Sequence, residues 1–151
     1  MIEIESIAKL SELTGREVAV SGWLEVSQER INNFAEATDD RQWLHVDPER
    51  AARESPFKVT IAHGFLTLSL LSEMLHQAMH VEGVRMGLNY GLNRVRFISP
   101  VPAGARIRGR FTLAQVEKIS GGVQVAWSVT IERDGADKPC CAAEWLVRYY
   151  E

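Results

Sequence analysis

The sequence predicts an α+β fold in which a five-stranded antiparallel sheet wraps around one long apolar helix, within a single domain spanning residues 1–151. Three observations carry the prediction. Four successive runs in the C-terminal half alternate apolar and polar residues, the period of a half-buried strand. One stretch, about Phe65 to His80, is apolar around most of a helical circumference, the mark of a buried helix. The chain has 151 residues, 46% of them hydrophobic and 25% charged, which suffices for one core and leaves little for a second domain.

The strands follow from parity. Val123, Val125, Trp127, Val129 and Ile131 share one face, and Gln124, Ser128 and Thr130 share the other. Cys141, Ala143, Trp145, Val147 and Tyr149 repeat the pattern after the Asp134-Gly135 turn. Ile107, Phe111 and Leu113 alternate with Arg106, Arg108 and Arg110, and Val95 and Phe97 alternate with Arg94 and Arg96. Pro102-Ala103-Gly104 and Ser120-Gly121-Gly122 separate these runs as turns, so the four read as an antiparallel meander. Val18, Val20 and Leu24 predict one more strand. Between Ser27 and Thr38 a helix is expected, capped by Ser27, with Ile31, Phe34 and Ala35 on one face. Pro48 opens a short helix to Glu54, and Gly83 is the expected end of the long apolar one.

Charge and cysteine usage narrow the function. Lys and Arg total 17 against 20 Asp and Glu, a net charge of −3, which argues against a nucleic-acid partner. Cys140 and Cys141 are adjacent and point to opposite faces of a strand, so two free thiols in a reducing compartment are expected. Met1–Glu5 lacks the basic and apolar regions of a secretory signal. The longest uncharged apolar-rich run, Ile61 to Ser72, is shorter than the roughly 20 residues of a membrane span. A cytoplasmic protein without membrane contact is the expectation.

Four histidines occur: His45, His63, His76 and His80. His76 and His80 are four apart on the expected helix but lack a third ligand, so they read as polar residues near its end and no metal is predicted. His45 lies five residues after Asp40, beyond the end of a helix, where a loop can return a carboxylate to the imidazole. On spacing alone a solvated loop is the better reading. Ala62-His63-Gly64-Phe65 strengthens the site, because it leads straight into the apolar helix. Gly64 lacks a Cβ, so a carbonyl oxygen can approach its N–H at the helix start, the makings of an oxyanion site. A tight turn explains Gly64 equally.

These residues resemble the MaoC-like dehydratases, in particular the (R)-specific enoyl-CoA hydratases and their nodulation-protein-N-like branch. The resemblance rests on Phe34-Ala35, Asp40 with His45 and Asp47-Pro48, Ala62-His63-Gly64-Phe65 and Ser72. It also rests on Asn89–Phe97 and Pro100-Val101-Pro102-Ala103-Gly104. It implies the hotdog fold and addition of water to a trans-2-enoyl thioester, giving an (R)-3-hydroxyacyl thioester, or the reverse dehydration. Asp40 and His45 would activate the water, Gly64 would hold the thioester oxygen, and Ser72 would support the pair, unless it is an ordinary buried helix serine. No cofactor is implied beyond the CoA or carrier thioester that is the substrate. Where many hydratases have Asn-Pro after the Asp, this chain has Gln42-Trp43. Gln42 is expected to replace the Asn and His63 to border the substrate; Trp43, Phe57 and residues of the long helix are candidates to line an acyl tunnel, although core packing explains them equally. Arg94 and Arg96 are candidates for the ligand's phosphates, as are Arg106, Arg108 and Arg110, although alternation makes all five the solvent face of a sheet first.

Two other functions share this fold. A thioesterase would need a carboxylate on the central helix, where Glu73 is the candidate. A non-catalytic acyl-thioester-binding subunit would not need the Asp and His retained here. The shortness of the chain and its open sheet edges also predict a homodimer with its sites near the interface.

Overall fold

The computed structural model describes residues 1–151. In chain order the elements are β1 (Ile2–Ile4), α1 (Ile7–Ser11), β2 (Glu17–Val20), β3 (Leu24–Val26), α2 (Gln28–Thr38), α3 (Trp43–Val46) and α4 (Pro48–Glu54). They continue with α5 (Gly64–Ser69), α6 (Leu71–Ala78), β4 (Met79–Val81), β5 (Met86–Phe97), β6 (Ala105–Ile119), β7 (Gly122–Arg133) and β8 (Cys141–Tyr150). The fold is the expected α+β arrangement, an antiparallel sheet with helix on its inner face.

In β6, β7 and β8 the parity read from sequence is the parity buried, whereas in β5 and β2 it is not, since Phe97 and Val20 are exposed. Ile107, Phe111 and Leu113 of β6, Val125, Trp127, Val129 and Ile131 of β7, and Cys141, Trp145, Val147 and Tyr149 of β8 join one cluster of 30 buried residues. Leu71, Met74, Leu75 and Ala78 of α6 complete it from the other side. Gly109 lets helix and sheet approach: a Cβ there would lie 2.8 Å from the Phe111 ring and 3.2 Å from Met74 Sδ. The opposite face of the sheet carries Arg108–Glu132 and Arg110–Glu17 ion pairs, each at 2.7 Å, and an Arg106–Asp134 pair.

Four details differ from expectation. The sheet has six strands, because the expected N-terminal strand is two, β2 and β3, each paired to β6. The last four strands are not a simple meander. Their order is β6-β7-β8-β5, so β5 pairs with β8 and forms an edge. The chain from Ile98 to Gly104 therefore crosses between β5 and β6, and prolines at 100 and 102, which lack an N–H, suit a crossing better than a ladder. The long helix is two segments, interrupted at Leu70. It stops at Ala78, where Met79 turns extended and β4 pairs in parallel with β1. His80 is thus on a strand, and Gly83, at φ 85°, turns the chain out of β4 rather than ending a helix.

The thiols of Cys140 and Cys141 are free and buried. Burial pushes them up to about 12 and about 11, against an ordinary value of 9.0. They should react with a thiol reagent far more slowly in the native protein than in denaturant at pH 8. Between pH 9 and 11 the unfolded chain loses protons that the folded chain keeps, so stability falls as pH rises. Urea midpoints at pH 8 and pH 10 check the sign, and Cys→Ala variants should flatten the slope.

Candidate active site

Helix α2 begins as expected, with Ser27 Oγ accepting from the Arg30 N–H at 3.1 Å. It ends at Asp39, whose φ of 60° places it in the left-handed region. That turn sends Asp39 and Asp40 in different directions. Asp39 is tied to Arg41 at 2.8 Å, and Arg41 also grips Glu36 through two bonds of 2.7 and 2.9 Å. Hydrogen bonding to this guanidinium holds the Glu36 carboxyl below its usual range. Asp40 is left free of cations and lies beside His63, with Oδ2 4.0 Å from Nε2.

His45 sits on α3, a single turn held by the bond from its own N–H to the Gln42 carbonyl at 2.9 Å. Its ring is buried, and Nδ1 meets the Ile61 carbonyl at 2.7 Å. A carbonyl only accepts, so Nδ1 carries the proton and Nε2 is the ring's free base. The Ile61 N–H returns a bond to the Leu44 carbonyl at 3.2 Å. Gln28 secures the same turn: its amide donates to the His45 carbonyl at 2.8 Å and its oxygen accepts from the buried Thr60 hydroxyl. Asp47 caps α4 by accepting from the Arg50 N–H at 3.0 Å, so its role here is structural.

His45 opens onto a cavity of about 310 Å³ whose walls include Phe57, Ile61, Gly64, Phe97, Val101 and Cys140. Gly64 begins α5, and the first N–H groups of a helix have no acceptor within it. A Cβ on Gly64 would lie 3.0 Å from the Phe97 ring, so glycine leaves this corner open. Because α5 has only six residues, any oxyanion stabilisation here rests on the N–H itself more than on a helix dipole.

Asp40, His45 and His63 place potential donor atoms within 4.8 Å of one another, close enough to raise a metal site. The rings of His45 and His63 stack at 3.8 Å and 25°, so their lone pairs run along near-parallel planes instead of converging on one point. His45 Nδ1 and His63 Nε2 are also committed to carbonyls. The arrangement suits proton transfer better than chelation.

The remaining candidates lie elsewhere. The Gln42 side chain is exposed and only its backbone carbonyl meets His45. Trp43 stacks beneath the Arg50 guanidinium at 4.6 Å and lies off the cavity wall. His63 is buried behind the cavity, against Phe34 and His45. Ser72 lines a second cavity, of about 190 Å³, with Leu68, Ser69, Asn89, Leu92 and Trp145. Arg94 and Arg96 are exposed on β5, in register with Glu144 and Ala142 of the sheet's outer face, whereas Arg106, Arg108 and Arg110 are paired to acids. Glu73 is exposed and accepts from Gln77 at 2.7 Å, outside both cavities, so the carboxylate expected of a thioesterase on the central helix does not reach the site. Sequence reading missed Ile61 and Gln28, because one acts through its carbonyl and the other is an ordinary helix residue.

Residues 9–134 match the family model described as "MaoC like domain". The chain is 51% identical over 150 residues to 3-hydroxyacyl-thioester dehydratase Z of Mycobacterium tuberculosis, covering 99% of each. It is 47% identical over 143 residues to Nodulation protein N of Rhizobium meliloti, covering 93% of this chain and 89% of that one. Among solved structures, an (R)-hydratase from A. caviae involved in PHA biosynthesis superposes with a TM-score of 0.70 at 22% identity, over 87% of this chain and 93% of that one. That likeness shows the shared fold.

Gln28→Leu should destabilise the fold by about 1–3 kcal/mol, since it strips the partners from the buried Thr60 hydroxyl and the His45 carbonyl. Chemical denaturation measures this.

Proposed function

Because the chain belongs to the MaoC-like dehydratase family, it is a hydro-lyase of thioesters, and we propose that it interconverts trans-2-enoyl and (R)-3-hydroxyacyl thioesters with Asp40 and His45 as the acid/base pair. The observation carrying this reading is one cavity that gathers a histidine with a free Nε2, a carboxylate in its neighbourhood and an open Gly64 N–H.

In the hydration direction Asp40 and His45 hold one water. His45 Nε2 takes its proton as the oxygen bonds to the β-carbon. The electrons of the C=C bond move toward the carbonyl, and charge gathers on the thioester oxygen. The Gly64 N–H stabilises that charge, and a well-placed donor of this kind contributes about 2.7–4 kcal/mol. The pair then delivers a proton to the α-carbon, which completes syn addition. Each proton has a donor and an acceptor among these groups, so the proposal calls for no metal or cofactor. Ser72 belongs to it only as a residue of the neighbouring cavity, and Gln42 and Trp43 only as the turn that carries His45. Arg94 and Arg96, free of acidic partners, are proposed to meet the phosphates of CoA or a carrier arm.

The working unit is proposed to be a homodimer joined through β5. This edge strand exposes Leu88, Tyr90 and Leu92, while Phe97 at its end lines the His45 cavity and Leu92 the second one. A partner strand there would place both sites near the interface. No helix is long and apolar enough to cross a membrane. The buried free thiols support a reducing, cytoplasmic setting.

Crotonyl-CoA or a longer enoyl-CoA should be hydrated to the (R) product, identified by chiral analysis, without release of free thiol. Asp40→Asn and His45→Ala should each lower kcat by about 10²–10⁴-fold; full activity in both would remove the pair from the mechanism. Light scattering should give twice the chain mass, and Leu92→Lys should shift it toward one.

A further inference from the structure

His63 lies at the centre of the site and takes no step in the chemistry. Its side chain is 3% exposed and is absent from the cavity wall. One face of the ring stacks on His45 at 3.8 Å, and Phe34 packs against it at 4.9 Å. Its Nε2 meets the backbone carbonyl of Asp40 at 2.9 Å, and since a carbonyl only accepts, Nε2 carries the proton. Nδ1 is buried without a partner. A proton there would be a buried donor with no acceptor, so the ring is the neutral Nε2–H tautomer.

We propose that His63 is a positioning residue that sets Asp40 and His45 relative to each other. The inference rests on the acid/base reading of that pair. Asp40 follows a left-handed residue on an exposed loop, and its carbonyl has no backbone partner. The His63 N–H supplies the missing one and ties the loop to the segment leading into α5. The same ring presents a flat face to His45. The Ile61 bond holds one edge of the His45 ring but leaves rotation about that bond, and a stacked neighbour opposes the rotation. One buried side chain thus places two reacting groups from two elements. Displacing reacting groups by about 1 Å can cost about 10²-fold in rate. Because His63 touches no substrate, its loss falls on kcat and spares KM.

Two variants separate its two contacts. His63→Phe keeps a flat ring and removes the donor, while His63→Gln keeps an amide N–H near the place of Nε2. His63→Phe should lower kcat by about 10–100-fold with KM within about threefold, and His63→Gln, which keeps the bond to Asp40 but not the stack on His45, should recover part of that loss. Asp40→Asn and His45→Ala are measured alongside. If those two keep full activity, the acid/base reading fails and this inference with it. If they are inactive while folded His63→Phe keeps the native kcat, or loses only in KM, the positioning role is overturned and the acid/base reading stands. Nitrogen-15 NMR of the unaltered protein tests the bond without any variant. A His63 with Nε2 protonated and Nδ1 bare supports the proposal, and a proton on Nδ1 overturns it.

Discussion

The extended segment Thr60–His63 is hydrogen-bonded on two sides. Toward the helices, the Thr60 hydroxyl donates to Gln28, Ile61 bonds Leu44 and His45, and His63 bonds Asp40. Toward the sheet, the Ala62 N–H donates to the Val101 carbonyl at 2.8 Å and the Thr60 carbonyl accepts from Ala103 at 2.9 Å. The turns bearing Asp40 and His45 lack a ladder or a long helix of their own. They borrow rigidity from this segment, which in turn borrows it from the crossing chain at Val101–Ala103. The proline-rich crossing is therefore part of the site, although it contains no reacting group.

The two histidines show how that support is made. Each ring gives one N–H to a backbone carbonyl, and each bond joins an element of the helical lobe to the strip before α5. Two buried aromatic amphiphiles hydrogen-bonded to backbone are costly to rearrange, because breaking either bond leaves a buried polar group unpaired. The stack lays the two rings face to face at 3.8 Å, so each is the other's packing neighbour. His45 is left with one free nitrogen on the cavity side, while the free nitrogen of His63 faces no partner.

Much of this was legible in sequence. Alternation in 106–113, 123–131 and 141–149 marked the inner face of the sheet, since period two is imposed by geometry whatever the partner strand. Strand order was not legible, because parity says which face is buried and not which neighbour is paired; β5 beside β8 is decided by the crossing at 98–104. The apolar stretch 65–80 looked like one helix because Met79, the first residue of β4, is as apolar and as buried as the helix it follows. At the site, the family resemblance singles out Asp40, His45 and Gly64, since spacing alone favours a solvated loop and a tight turn explains Gly64 equally. Asp40 is preferred to Asp39 because only its five-residue spacing to His45 matches the family motif; the left-handed turn at Asp39 and its tie to Arg41 are not encoded in that spacing. Ile61 works through its carbonyl, which every residue has, so no pattern of side chains could have marked it.

The unpaired edge and the site are not separate features. Strand β5 has an open row of backbone groups on one side and exposes Leu88, Tyr90 and Leu92. Its end supplies Phe97, which stands against Gly64 and forms an edge-to-face pair with Phe65 at 6.2 Å. Phe97 is 47% exposed, so within one chain the wall beside the oxyanion corner is held from one side only. In the proposed dimer, a strand paired to β5 would also restrain the Phe97 ring beside Gly64. The sheet edge of that dimer would thus couple assembly to cavity shape through a single aromatic side chain.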